Sequence, residues 1–111
     1  MNITTVPSFT AKLYIGGDIQ TAKRLINKMV YFEGMCVTID PTTFVYTGGE
    51  EAGMVIGLIN YPRFPSAPEQ IKAKATAIGD MLIRELNQRT YLILCSDETY
   101  WMACEPPGAK S

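Results

Sequence analysis

Apolar and polar residues alternate over residues 10–15, and apolar residues recur at three- and four-residue spacing over 19–30 and again over 71–86. The chain therefore reads as a strand and two amphipathic helices around a β-rich centre. The first strand, 10–15, ends at Gly16-Gly17, and Asp18 follows as an N-cap. Ile19, Ala22, Ile26, Met29 and Val30 give the first helix its apolar stripe, and Gly34 is placed to close it in a left-handed conformation. Three runs rich in β-branched and aromatic residues come next, at 35–39, 43–47 and 54–60. Asp40-Pro41-Thr42 and Gly48-Gly49-Glu50-Glu51 separate them, which predicts a meander of three antiparallel strands. Ser66-Ala67-Pro68-Glu69 has the form of a capping box, so a second helix is expected over 67–87. Its stripe is Ile71, Ala75, Ile78, Leu82 and Leu86, with smaller residues around Gly79 on an adjoining face that would admit a close neighbour. A final hairpin, 90–95 with 100–104, turns at Ser96-Asp97-Glu98-Thr99.

The predicted order is βαβββαββ, an α+β fold in which an antiparallel sheet carries two helices on one face. Residues 1–111 are expected to form a single domain, with loose termini at 1–8 and 105–111, where Glu105-Pro106-Pro107-Gly108 ends regular structure. The other face of the sheet needs cover. Tyr14, Tyr46, Tyr91 and Trp101 are more aromatic surface than a small monomer leaves bare, so self-association is expected: a homo-oligomer, at least a dimer, with a hexamer as one arrangement.

Composition narrows the function classes. A net charge of −1, from ten basic and eleven acidic residues, offers no bulk attraction for DNA or an anionic membrane. Histidine is absent, which removes the usual general base and the commonest metal ligand, so no metal and no cofactor are expected. Cys36, Cys95 and Cys104 match no zinc or redox spacing, two of them fall in predicted strands, and they read as buried free thiols in a reducing cytoplasm. No signal segment or long apolar run is visible, and a soluble protein of the host-cell cytoplasm is the expectation.

The candidate chemistry is that of anion and ring binding. Tyr61-Pro62-Arg63-Phe64-Pro65 holds an arginine between two aromatic residues on backbone stiffened by two prolines, so Tyr61, Arg63 and Phe64 are candidate ligand contacts, Arg63 first among them. Arg84, Asn87 and Arg89 would add phosphate and ribose contacts where the second helix hands over to the next strand, and Trp101 an aromatic plane. Lys23, Arg24 and Lys28 on the first helix form a candidate second anion site, although a solvated helix face explains them as well. The carboxylate pairs Glu50-Glu51 and Asp97-Glu98 fall in turn-like segments where solvated charges belong. No nucleophile accompanies them, so the chain is expected not to be an enzyme.

The segments YIGGD, GMCVTIDPTTFVYTGGEE and GLINYPRFP resemble those of the small phage anti-Thoeris proteins, the first-described type of anti-Thoeris sponge. That resemblance covers roughly residues 13–65. It implies a non-catalytic oligomer, built from dimers, that binds and sequesters a cyclic ADP-ribose isomer and holds cyclic oligonucleotides at separate sites, counteracting bacterial antiphage defence. The alternative function is a protein-binding inhibitor that docks its aromatic surface and the 48–51 loop on a host enzyme.

Overall fold

The structure, a computed structural model, describes residues 1–104. Its elements are β1 (Thr10–Gly16), α1 (Ile19–Glu33), β2 (Thr38–Tyr46), β3 (Gly49–Ile59), α2 (Pro68–Glu85), β4 (Thr90–Cys95) and β5 (Thr99–Ala103). All strand pairs are antiparallel, in the order β2-β3-β1-β4-β5, so β1 lies in the middle of the sheet. The α+β class and the two helices on one face are as expected.

Alternation along the strands decides which face is covered. Ala11, Leu13 and Ile15 of β1 are register partners of Leu58, Ile56 and Met54 on one side, and Ala11 and Leu13 partner Cys95 and Ile93 on the other. All of these side chains are buried, together with Ala22 and Ile26 of α1 and Ile71, Ala75, Ile78 and Leu82 of α2. Each fully buried leucine or isoleucine contributes about 1.5–3 kcal/mol, and this layer supplies most of the drive to fold.

The helix ends follow local chemistry. Asp18 accepts a hydrogen bond from the Thr21 amide at 2.8 Å and caps α1, and Gly34 closes it at φ 66. At α2 the cap differs from expectation: Ala67 is the N-cap, its N–H donating to the Gln70 side chain at 2.8 Å, while the Ser66 amide donates instead to Asn60 Oδ1. Lys72 ties α2 to the β4–β5 turn through Asp97 at 3.0 Å and Glu98 at 2.7 Å.

Four features differ from the pattern read off the sequence. The two strands expected at 35–39 and 43–47 are one, because β2 is an edge strand and Pro41 can sit in its ladder opposite Met54 without needing a donor. The turn that follows is tight: Tyr46 partners Gly49, only Thr47 and Gly48 lie between, and Gly48 takes φ 92. Glu50 and Glu51 are thereby strand residues. Tyr91, expected on the exposed face, is buried with its hydroxyl donating to Asp80 at 2.8 Å, and its ring occupies the space left by Gly79, where a β-carbon would stand 2.7 Å from it. The small-residue face of α2 thus receives a side chain of its own chain. Of the cysteines only Cys95 is buried; Cys36 precedes β2 and Cys104 follows β5, and both are exposed. Residues 105–108, where order was expected to end, lie outside the described residues.

Candidate functional site

The face of the sheet opposite the helices carries Tyr14, Val55, Leu92, Leu94 and Trp101, the alternate residues of the strands that line the core. At one end of it the register pairs two glycines, Gly16 on β1 and Gly53 on β3. A β-carbon on Gly53 would strike the Phe44 ring and come within 2.5 Å of the Ile15 carbonyl, and one on Gly16 would come within 2.5 Å of Glu51 Oε2 and 3.1 Å of Gln88 Oε1. The bare backbone therefore makes a floor on which Phe44, Glu51 and Gln88 lie. The cavity over it is about 550 Å³, with Tyr14, Phe44, Leu92 and Trp101 as its aromatic and apolar walls and Glu51 and Gln88 as its polar end. A volume of this size lies within the range of about 300–1,000 Å³ usual for small-molecule sites, and so does the balance of many apolar walls with few polar groups.

Glu51 has no hydrogen-bond or ion-pair partner among the described residues. The ion pairs present among them belong to Lys72, which raises its own pKa through Glu98 and Asp97 and lowers that of Asp97. A carboxylate on an aromatic-walled cavity with no cation from its own chain can pair with a cation brought by a ligand. Among the described residues no group of three or more His, Cys, Asp or Glu side chains is placed to hold a metal ion.

The residues singled out from the sequence are dispersed by the fold. Trp101 lines this cavity. Tyr61 and Phe64 close a small bridge on each other, their rings 5.3 Å apart, and Arg63 is exposed at its tip without an ion pair among the described residues. The Cys36 thiol lies within hydrogen-bond distance of the Tyr61 hydroxyl, at 3.6 Å, and this acidic neighbour pushes the tyrosine's pKa up. The hollow beside these rings is about 30 Å³, room for a water molecule. Arg84, Asn87 and Arg89 are exposed around the end of α2, and the residue among them that reaches the large cavity is Gln88. On α1 the cations separate: Arg24 and Lys28 flank a hollow with Tyr31 and Phe32, while Lys23 stands over a different one against Met35 and Val37.

Sequence reasoning passed over Glu51, Gln88, Phe44 and Tyr14 as site residues. A period of two was the signal for Glu51, since it shares parity with Gly53 and Val55. It becomes readable only once Thr47-Gly48 is recognised as the turn, because a one-residue shift moves Glu51 to the other face.

No family model matches the chain, and no curated protein matches it. Two solved structures share its fold. One is a phage SAM lyase in the apo state, with TM-score 0.75 and 17% identity over 88% of this chain and 90% of that one. The other is a phage SAM lyase in complex with S-methyl-5'-thioadenosine, with TM-score 0.67 and 13% identity over 99% of this chain and 98% of that one. At these identities the likeness is one of fold. It corrects the expectation that the chain is not an enzyme, because both of these structures are of lyases. Phage proteins and a nucleoside ligand accord with part of the resemblance drawn from the sequence; neither structure is an anti-Thoeris sponge.

Proposed function

We propose that this chain is a lyase for S-adenosylmethionine or a closely related adenosyl sulfonium, bound on the open face of the sheet. The observation that carries the reading is the unpartnered Glu51 carboxylate at the end of an aromatic-walled cavity, on a fold shared with SAM lyases. The substrate is cationic at sulfur and at its ammonium group. Glu51 supplies the opposite charge, and the faces of Trp101, Tyr14 and Phe44 suit a sulfonium.

Cleavage needs no base from the protein. The substrate's own carboxylate oxygen attacks its γ-carbon, a C–O bond forms, and the C–S bond breaks with its electron pair going to sulfur. The products are a lactone and neutral methylthioadenosine, with no water consumed and no proton moved. Opposite charges disappear along this path, so a cavity poor in water favours the transition state over the charged ground state. A chain without histidine can support such chemistry by binding and orientation alone. Incubation of purified protein with S-adenosylmethionine, followed by mass spectrometry, is expected to show methylthioadenosine and lactone in equal amounts. Substrate returned intact in the presence of folded protein would remove the lyase reading.

A second reading keeps an adenine nucleotide as ligand and takes a cyclic ADP-ribose isomer in its place. What favours it is Arg63, exposed between Tyr61 and Phe64 with no carboxylate partner among the described residues, a fork free to meet a pyrophosphate. Titration calorimetry separates the two. Under this reading Arg63→Ala lowers affinity for the cyclic nucleotide about tenfold or more, the worth of a lost charge-assisted pair, and leaves binding of methylthioadenosine unchanged.

A further inference from the structure

The backbone is held at Gln88 and at the residue after it. The Gln88 backbone N–H donates to the Ile83 carbonyl at 3.0 Å, wrapping it over the end of α2, and the next residue, Arg89, accepts from the Cys104 amide at 2.7 Å. Between helix and strand the chain turns at Asn87, the non-glycine residue with positive φ among those described, at 55°. Residues other than glycine occupy that region at a cost, asparagine more readily than most. Here the conformation reverses the chain at the helix end and sets Gln88, Thr90 and Leu92 on the same face, the one that carries the cavity.

The side-chain amide of Gln88 lies over Gly16 and Gly17. Its Oε1 is 3.1 Å from where a β-carbon of Gly16 would be, and its Nε2 is 3.5 Å from that of Gly17. It is half-buried and has no hydrogen-bond partner for either atom among the described residues. Among the side chains lining the cavity it is the one that offers a donor and an acceptor in a fixed plane. The Glu51 carboxylate beside it takes charge, and the hydroxyls of Thr90 and Thr99 rotate freely. A planar donor and acceptor pair matches the edge of adenine, where N7 accepts and the 6-amino group donates.

On the reading of the cavity as a site for an adenosyl ligand, we propose that Gln88 is its base-specificity residue, selecting a 6-aminopurine over a 6-oxopurine. The 6-oxo base turns an acceptor toward Oε1 and leaves a desolvated pair unmatched, and sites built on hydrogen bonds discriminate strongly for that reason. Gly16 and Gly17 belong to the same device, since side chains there would lift the amide out of the plane of the base.

The test is titration calorimetry of the full chain with S-methyl-5'-thioadenosine and with S-methyl-5'-thioinosine. The wild-type protein is expected to prefer the adenosine compound by about tenfold or more, and Gln88→Ala to bring the two within about twofold, chiefly by weakening the adenosine compound. Gln88→Glu keeps the shape and loses the amide donor, so it should weaken the adenosine compound while melting as the wild type does; this variant stands if the alanine protein fails to fold. A preference retained in Gln88→Ala, an affinity of Gln88→Glu for the adenosine compound equal to that of the wild type, or a preference absent from the wild type while both compounds bind, overturns the assignment of Gln88 and leaves the adenosyl site in place. Binding of neither compound by the wild-type protein overturns the adenosyl site and Gln88 with it.

Discussion

Gly16 and Gly53 face each other across the β1–β3 ladder, and their bare backbone is covered by Phe44 on one side and by Glu51 and Gln88 on the other. Gly53→Ala should therefore act on the site as well as on stability. The new methyl group would meet the Phe44 ring, which can turn away, and the Ile15 carbonyl, which is backbone and cannot. A loss of about 1–3 kcal/mol is expected, as for other overpacked positions. Thermal unfolding gives that number, and the same protein should bind methylthioadenosine more weakly than its stability loss explains.

Glu51→Gln removes a charge and little else. Glu51 is exposed and makes no ion pair or hydrogen bond among the described residues, so the melting temperature should stay where it is. The turnover of S-adenosylmethionine should fall by about tenfold or more, in line with the worth of a charge-assisted contact. Unaltered kcat/KM in this variant would show that the substrate's cation is held elsewhere.

The Tyr91 phenol titrates well above its ordinary value near 10, first because it is buried and then because it donates to the Asp80 carboxylate. In the unfolded chain it loses its proton near pH 10, while the folded protein still holds it. The unfolded state binds fewer protons there, so stability is whole below pH 10 and falls as the pH climbs from there toward the folded value. Tyr91→Phe should cost about 1 kcal/mol at neutral pH, the worth of one hydrogen bond. Melting curves taken between neutral and strongly alkaline pH should show the variant losing stability less steeply than the wild type.

On the open face of the sheet Ile59, Leu94 and Trp101 leave much of their apolar surface in water, and Tyr46 does so at the end of the β2–β3 hairpin. A patch of this kind is a surface for association, and a dimer or larger assembly is expected by light scattering at micromolar concentration. A single species with the 12.3 kDa mass of one chain would refute it.

What the sequence by itself determined about this protein is what local chemistry controls. Asp18 and Gly34 bound α1 because a side-chain acceptor three residues from an amide, and a residue tolerant of positive φ, act within one turn of helix. The buried stripe of α2 was legible from Ile71 to Leu82 for the same reason. Trp101, which lines the cavity, was singled out from its ring alone. The tertiary structure decided the rest. Pro41 could be read as a turn or as a strand residue until β2 was placed at the edge of the sheet, where a missing donor costs nothing. Tyr91 read as surface until a glycine on another element made room for it. Glu51 and Gln88 are 37 positions apart in the chain, and only the pairing of β1 with both β3 and β4 sets them over the same glycine. Such meetings depend on register and on which face each strand presents, and both are properties of partners distant in sequence.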